Sequence, residues 1–377
     1  MITAEAVINL SALRDNYDLL KHKAGGKGVI AVIKGDAYGH NALKTAKALK
    51  QADMFAVSRI EEAIELRHAG IEQPILLLEG CFCQKDLEIA AHHHLQTAIH
   101  CQEQLTDLQN ASLSAPLSVW LKLDTGMHRL GVQPYELSDY VEQITATGKL
   151  AGPVGFMSHF SCADDLNASS TQKQIDLFLS QTSSFPGPKT LANSAGILFW
   201  STSHFDFTRA GIALYGISPN ENETGRQHHL RPAMTLKSRL IAVRHHKAKQ
   251  PVGYGETWTA PKDTYIGVIA MGYGDGYPRN APEGTPVSIN GREVPIAGRV
   301  SMDMITVDLG PSAQDKVGDS VEFWGENIAI ERVAKHVGTI PYELVIKLTK
   351  RVHKRYLDHT NPVDHINPLP HQTDLNE

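Results

Sequence analysis

The chain has 377 residues, 42% of them hydrophobic and 20% charged, a balance that excludes a disordered, collagen-like or fibrous protein. Lys and Arg number 36 against 41 Asp and Glu, so the net charge is −5 and no basic surplus exists to grip a nucleic-acid backbone. The apolar runs are far short of the roughly 20 residues a membrane helix needs, and residues 1–10 show no secretory pattern, so the expected compartment is the cytoplasm.

In chain order, Ser11 reads as a helix N-cap, with Leu13, Tyr17 and Leu20 recurring on one face behind it. Short apolar runs then follow at 29–33, 54–57, 75–78, 97–99, 118–123, 154–158, 190–192 and about 206–213. Helical patterns alternate with them at 41–51, 60–69, 85–93, 101–109, 135–147, 171–183 and 194–200, with Gly70 and Gly148 at helix C-termini. Eight buried-type strands separated by single helices predict an α/β fold with a parallel sheet, either closed or open and doubly wound. Eight units within about 220 residues favour a (β/α)8 barrel of the TIM type.

Beyond a polar linker at 220–225 the texture changes to strand-like runs at 233–244, 264–270, 286–290, 293–297, 303–309 and 320–323. Asn290-Gly291 is a hairpin signal, and helical patterns return at 328–337 and 342–349. The expected organisation is a barrel over 1–222, a mostly β C-terminal domain over 223–357 and a disordered tail over 358–377. The four cysteines form no CxxC pair and read as reduced, buried thiols. The contiguous runs His92-His93-His94 and His245-His246 lack the i, i+4 spacing of helical metal ligands and read as solvated surface, so no metal is assigned.

Active residues of such a barrel lie at the C-terminal ends of its strands. The first strand runs directly into Lys34 within a Gly-rich turn. Most lysines are surface solvators, but one that ends a fully apolar strand projects its amine into the barrel mouth. Desolvation near other cations makes such an amine a nucleophile or base, suited to a Schiff base with a carbonyl cofactor. After the seventh strand, Asn193-Ser194-Ala195-Gly196 opens a short helix, and the eighth ends near Arg209-Ala210-Gly211-Ile212. Loops after strands seven and eight often bind phosphate, although an ordinary N-cap serine explains Ser194 equally well when taken alone. With Lys34 across the mouth, a phosphorylated carbonyl cofactor, pyridoxal 5′-phosphate, unites the two observations.

These residues carry a resemblance. Ala31-Val32-Ile33-Lys34-Gly35-Asp36-Ala37-Tyr38-Gly39-His40 is similar to the cofactor-lysine signature of the alanine racemase family, fold-type III pyridoxal-phosphate enzymes. Six further blocks follow in family order, among them Leu121-Lys122-Leu123-Asp124-Thr125-Gly126-Met127-His128-Arg129-Leu130-Gly131, Ser158-His159-Phe160-Ser161, Gly253-Tyr254-Gly255 and Gly298-Arg299-Val300-Ser301-Met302-Asp303. The likeness covers about residues 1–357 and departs mildly from commoner versions at Gly35 and His128.

The resemblance implies a racemase of L- and D-alanine, making D-alanine for peptidoglycan or degrading it. Lys34 would carry the cofactor and act as one base, and Tyr254, contributed by the partner of a head-to-tail homodimer together with Met302, would be the other. Tyr38, Ser194, the backbone of Gly211 and Ile212, and Tyr342 would hold the phosphate. His159 would lie against the pyridine ring and Arg209 would face its nitrogen. Arg129 would position the substrate carboxylate, Lys122 matches a position often carbamylated, and Asp164, Tyr273 and Arg279 resemble parts of a substrate corridor. Two other readings compete. A decarboxylase of basic amino acids on the same fold would carry a cysteine in its second domain, and none follows Cys162. A non-catalytic, single-barrel cofactor carrier would lack residues 223–357.

Overall fold

The computed structural model describes residues 4–312 and 314–358, so the tail expected at 358–377 lies outside the described residues from 359 onward. Strand β1 (Glu5–Asn9) leads into a helix, Leu10–Lys23, and then the barrel begins. Its eight parallel strands are β2 (Gly28–Val32), β3 (Met54–Val57), β4 (Ile75–Leu77), β5 (Gln96–Ile99), β6 (Ser118–Lys122), β7 (Gly155–Met157), β8 (Lys189–Thr190) and β9 (Phe207–Ala210). Each pairs with the next and β9 pairs back onto β2, closing the ring and settling the choice against an open sheet. Closure buries these strands on both faces, which is why β2, β3 and β4 read as unbroken apolar runs, whereas β5, β6, β8 and β9 carry buried polar residues such as Thr97, Lys122, Thr190 and Arg209.

The second domain holds β10 (Met234–His246), β11 (Pro251–Val252), β12 (Trp258–Thr259), β13 (Thr264–Ile269), β14 (Pro286–Ile289), β15 (Arg292–Pro295), β16 (Ile305–Gly310), β17 (Ser320–Trp324) and β18 (His353–Leu357). The turn between β14 and β15 is the expected Asn-Gly hairpin, with both residues at positive φ, +50° and +83°. The helix Ile330–Val337 packs on β17, and the helix Pro341–Ile346 packs against it and against the segment Lys34–Tyr38 of the barrel.

Three features differ from the sequence reading. The first helix is capped by Asn9, whose side chain accepts from the Ala12 N–H at 3.1 Å, and Ser11 lies inside it. β1 and β18 were not expected as strands, and β1 joins the second sheet rather than the barrel, antiparallel to β10 and parallel to β18. Five residues carry too little pattern to name a partner that lies more than 200 positions away. Of the cysteines, only Cys81 is buried, whereas Cys83 and Cys162 are exposed. The histidine runs do lie at the surface.

The polar linker is a tight connection. The buried carboxylate of Glu331 accepts the backbone N–H groups of Ser218 at 2.9 Å and Gly225 at 2.8 Å, tying the segment after the barrel to the helix Ile330–Val337. Removing that acceptor strands two buried donors. Glu331→Ala is expected to cost about 2–3 kcal/mol and to lower the thermal midpoint by several degrees, with Glu331→Gln costing less. An unchanged midpoint for Glu331→Ala would show that the linker needs no anchor.

Candidate active site

β2 ends one residue before Ile33, and Lys34 opens a turn of unusual backbone. Gly35, Asp36, Ala37, Tyr38 and Gly39 all have positive φ, between +52° and +78°. For residues with a Cβ this left-handed conformation costs roughly 1–2 kcal/mol each, so the surroundings must hold it. The Glu62 carboxylate accepts the Gly35 N–H at 2.7 Å and those of Ser58 and Arg59 at 3.0 and 3.1 Å. Asp36 accepts from the Ala42 N–H at 2.9 Å and pairs with Lys354 on β18 at 2.8 Å. Gly39 lies so close to the Val345 carbonyl that a Cβ there would come within 2.2 Å of its oxygen. The turn aims both Lys34 and Tyr38 into one cavity of about 750 Å³ at the C-terminal mouth of the barrel.

The barrel residues proposed to hold cofactor or substrate all line that cavity: Lys34, Tyr38, Lys122, Arg129, His159, Ser194, Arg209, Gly211 and Ile212, with Tyr342 from the second domain. Ser194 Oγ accepts the N–H groups of Gly211 at 3.0 Å and Ala213 at 3.2 Å, which leaves its own O–H for a ligand. A Cβ on Gly211 would stand 3.0 Å from the Tyr38 hydroxyl and 3.6 Å from Ser194 Oγ, filling the recess between them. Neither the Tyr38 nor the Tyr342 hydroxyl has a hydrogen-bond partner among the described residues. Burial raises both phenols, Tyr342 to about 12, so both remain donors.

Across the cavity, Arg209 is buried among neutral acceptors. It donates to Thr190 Oγ1 at 2.9 Å, to the carbonyls of Ser158 and Leu191, and to His159 Nδ1 at 3.2 Å. Burial lowers its pKa to about 10, which leaves it charged at neutral pH. Burial and then Arg209 push His159 well down, so its imidazole is neutral and accepts. Lys122, 7% exposed, falls to about 8 through burial and the charges of Arg209 and Arg129. Lys34 is lowered by burial, opposed by Glu79 and reinforced by Arg129. Five cationic side chains thus face two carboxylates, Glu62 and Glu79, in one cavity.

Sequence reasoning missed Arg59, Glu62 and Glu79. The signal existed: Glu79 follows the third strand run at its C-terminal end, and Glu62 is the third residue of the helix Ile60–His68, a capping position. Tyr254 and Met302 do not line the cavity of their own chain. They are 70% and 53% exposed on the second domain, Tyr254 in the tight connection between β11 and β12. Asp164, Tyr273 and Arg279 are likewise exposed and outside the lining.

Residues 8–219 match the family model for the alanine racemase N-terminal domain, and residues 233–356 match that for the C-terminal domain. The chain belongs to the alanine racemase family. Alanine racemases from Vibrio atlanticus strain LGP32 and Aeromonas hydrophila subsp. hydrophila are 52% and 53% identical over 357 residues, covering 95% of this chain and 100% of each relative. The solved biosynthetic alanine racemase of Pseudomonas aeruginosa superposes with a TM-score of 0.92 at 42% identity, over 95% of this chain and all of that one. That of Bartonella henselae, described with covalently bound pyridoxal phosphate, gives 0.85 at 32% identity, over 94% of this chain and 99% of that one.

Gly35 and His128, the two positions expected to depart from commoner alanine racemase sequences, have distinct surroundings. Gly35, at φ +61°, occupies a left-handed position that glycine adopts without steric cost. His128, itself at φ +55° and 78% exposed, bonds Asp124 at 3.0 Å and does not line the cavity.

Lys122 tests the electrostatics of the cavity. A lysine whose folded pKa lies below its unfolded value binds fewer protons when folded, so its burial opposes folding below pH 8 and that penalty fades as pH rises toward 10.5. Lys122→Met is therefore expected to stabilise the cofactor-free protein at pH 7 by up to about 3 kcal/mol, a gain that vanishes by pH 10.5. Denaturant unfolding across that range measures it, and a loss of stability at pH 7 would contradict the assignment of Lys122 as a free cation.

Proposed function

We propose that the protein interconverts L- and D-alanine by a two-base mechanism, with pyridoxal 5′-phosphate held at Lys34 and a homodimer as the working unit. The observation that carries this reading is the cavity itself. A desolvated amine, an anion recess and an unpaired guanidinium face one another across it, with a cationic excess that suits a phosphate and a carboxylate.

The residues fit the cofactor. Ser194, Tyr38, Tyr342 and the backbone at Gly211 and Ile212 offer donors for its phosphate, in a recess that only glycine at 211 leaves open. His159, neutral, offers a flat face to the ring, and Arg209 offers a donor to the ring nitrogen. When bound, pyridoxal phosphate supplies an electron sink that stabilises negative charge at the substrate α-carbon.

Racemisation removes the α-proton from one face and returns a proton to the other. One base would have to cross the substrate plane, whereas two bases on opposite faces need no movement. Lys34 serves one face, since burial lowers its pKa and favours the neutral amine. Tyr254 serves the other and comes from the partner subunit with Met302. Its exposure, and its absence from the lining of its own chain's cavity, support that origin. Arg129 orients the substrate carboxylate. A carbamylated Lys122 would present an anion to Arg129 and steady it. Arg209 stays charged at neutral pH and would donate a hydrogen bond to the ring nitrogen without transferring its proton, so that nitrogen would remain an acceptor and the sink would be weaker.

Three results are expected. Lys34→Ala abolishes racemisation, and borohydride treatment no longer fixes a pyridoxyl mass to the chain. Tyr254→Phe retains the cofactor but loses racemisation in both directions, equally in kcat/KM because the two enantiomers have the same free energy. Mixing the two inactive variants restores activity, because each heterodimer assembles one intact site from the remaining Lys34 and Tyr254, and random pairing recovers about a quarter of wild-type sites. No recovery on mixing, or a fully active monomer by sedimentation, would refute the shared site.

A further inference from the structure

Behind the lysine turn lies a histidine that none of these steps uses. His40 is fully buried. Its Nδ1 stands 3.0 Å from the carbonyl oxygen of Ala37 and 2.9 Å from that of Tyr38. Carbonyl oxygens only accept, so Nδ1 carries the proton and divides it between the two. Nε2 is then a bare lone pair, buried without a partner among the described residues. Such a group opposes folding, and an apolar side chain would fill the space better if packing were the only requirement. Burial holds the ring neutral, with its pKa down to about 4, so it remains a one-proton donor at neutral pH.

The two carbonyls it holds belong to Ala37 and Tyr38, both in the left-handed region at φ +53° and +52°. The Tyr38 carbonyl receives no other hydrogen bond among the described residues. The His40 ring lies 4.5 Å from that of Tyr215, and the Tyr215 ring lies 4.8 Å from that of Tyr38. The Tyr215 hydroxyl in turn donates to the carbonyl of Val32 at 2.9 Å, at the end of β2. His40 and Tyr215 together therefore grip the chain on both sides of Lys34.

We propose that His40 is a positioning residue for the reaction: braced on Tyr215, it fixes the left-handed backbone of Ala37 and Tyr38 and thereby aims the Tyr38 hydroxyl and the Lys34 amine at the cofactor. It touches neither cofactor nor substrate. The inference rests on the reading that this cavity holds pyridoxal phosphate.

The test titrates pyridoxal phosphate into the purified full-length protein and follows binding by absorbance, alongside alanine kinetics. His40→Leu is expected to bind the cofactor about tenfold more weakly, the scale of one lost hydrogen bond, and to lower kcat with little change in KM for alanine. His40→Asn, which keeps an N–H donor, recovers most of the loss. Because His40 acts in part through Tyr38, His40→Leu combined with Tyr38→Phe loses less affinity than the product of the two single losses. Tyr215→Phe keeps the ring but frees the Val32 carbonyl, and it shifts binding in the same direction even if His40→Leu fails to fold. Wild-type cofactor affinity in His40→Leu or in Tyr215→Phe, or losses that multiply in the double variant, would overturn the proposal and leave the cofactor reading standing. A wild-type protein that binds no pyridoxal phosphate would instead overturn that reading, and this one with it.

Discussion

Positive charge without enough negative charge governs the barrel mouth. Among the described residues, Lys34, Lys122, Arg129, Arg209 and Arg59 line one cavity with Glu62 and Glu79 as its carboxylates, and Arg59, exposed like Arg129, pairs with Glu79 at 3.8 Å. The Glu62 carboxylate is already engaged by three backbone N–H groups. Burying cations that lack counter-charges opposes folding, and the protein responds in two ways. Arg209 keeps its charge by spreading its donors over a hydroxyl, two carbonyls and a neutral imidazole. The two lysines, which can neutralise where arginine cannot, have their pKa values lowered. Such a site selects anions and holds an amine ready to act as a base, the two properties the proposed chemistry needs.

That electrostatic arrangement works only if the lysine is held in place, and holding it requires a strained turn braced from several directions. The barrel supplies Glu62 and Tyr215, whereas the second domain supplies Val345 against Gly39 and Lys354 against Asp36. Tyr342 and Ile346 from the second domain also line the cavity. The β domain is thus part of the site's wall and of the turn's support. The second domain also leaves Tyr254, Tyr273, Met302 and Met304 exposed.

Much of this was legible in the chain. Barrel strands such as β2, β3 and β4 announced themselves because burial on both faces favours continuous apolar runs, and the intervening helices because one face alone is buried. The lysine, the serine and the arginine could be placed because strand ends in a closed parallel barrel all open at one mouth. What escaped had weak local signals. β1 and β18 are each five residues long, and neither shows its partner in its own pattern. Asn9 and Ser11 are both good caps, and the choice between them depends on which N–H the side chain reaches. Glu62 and Glu79 look like ordinary surface carboxylates until the loops around them are folded.

Residue order therefore determined the period of burial, and with it the barrel, the second β domain and the places where reactive side chains could project, since periodicity is a local property. The tertiary structure alone decided that the turn after Lys34 is left-handed, that its two flanks are gripped by a buried histidine and a tyrosine 175 positions apart in the chain, and that five cations share one cavity. Those features depend on distances between residues remote in sequence, and a linear pattern carries no information about such distances.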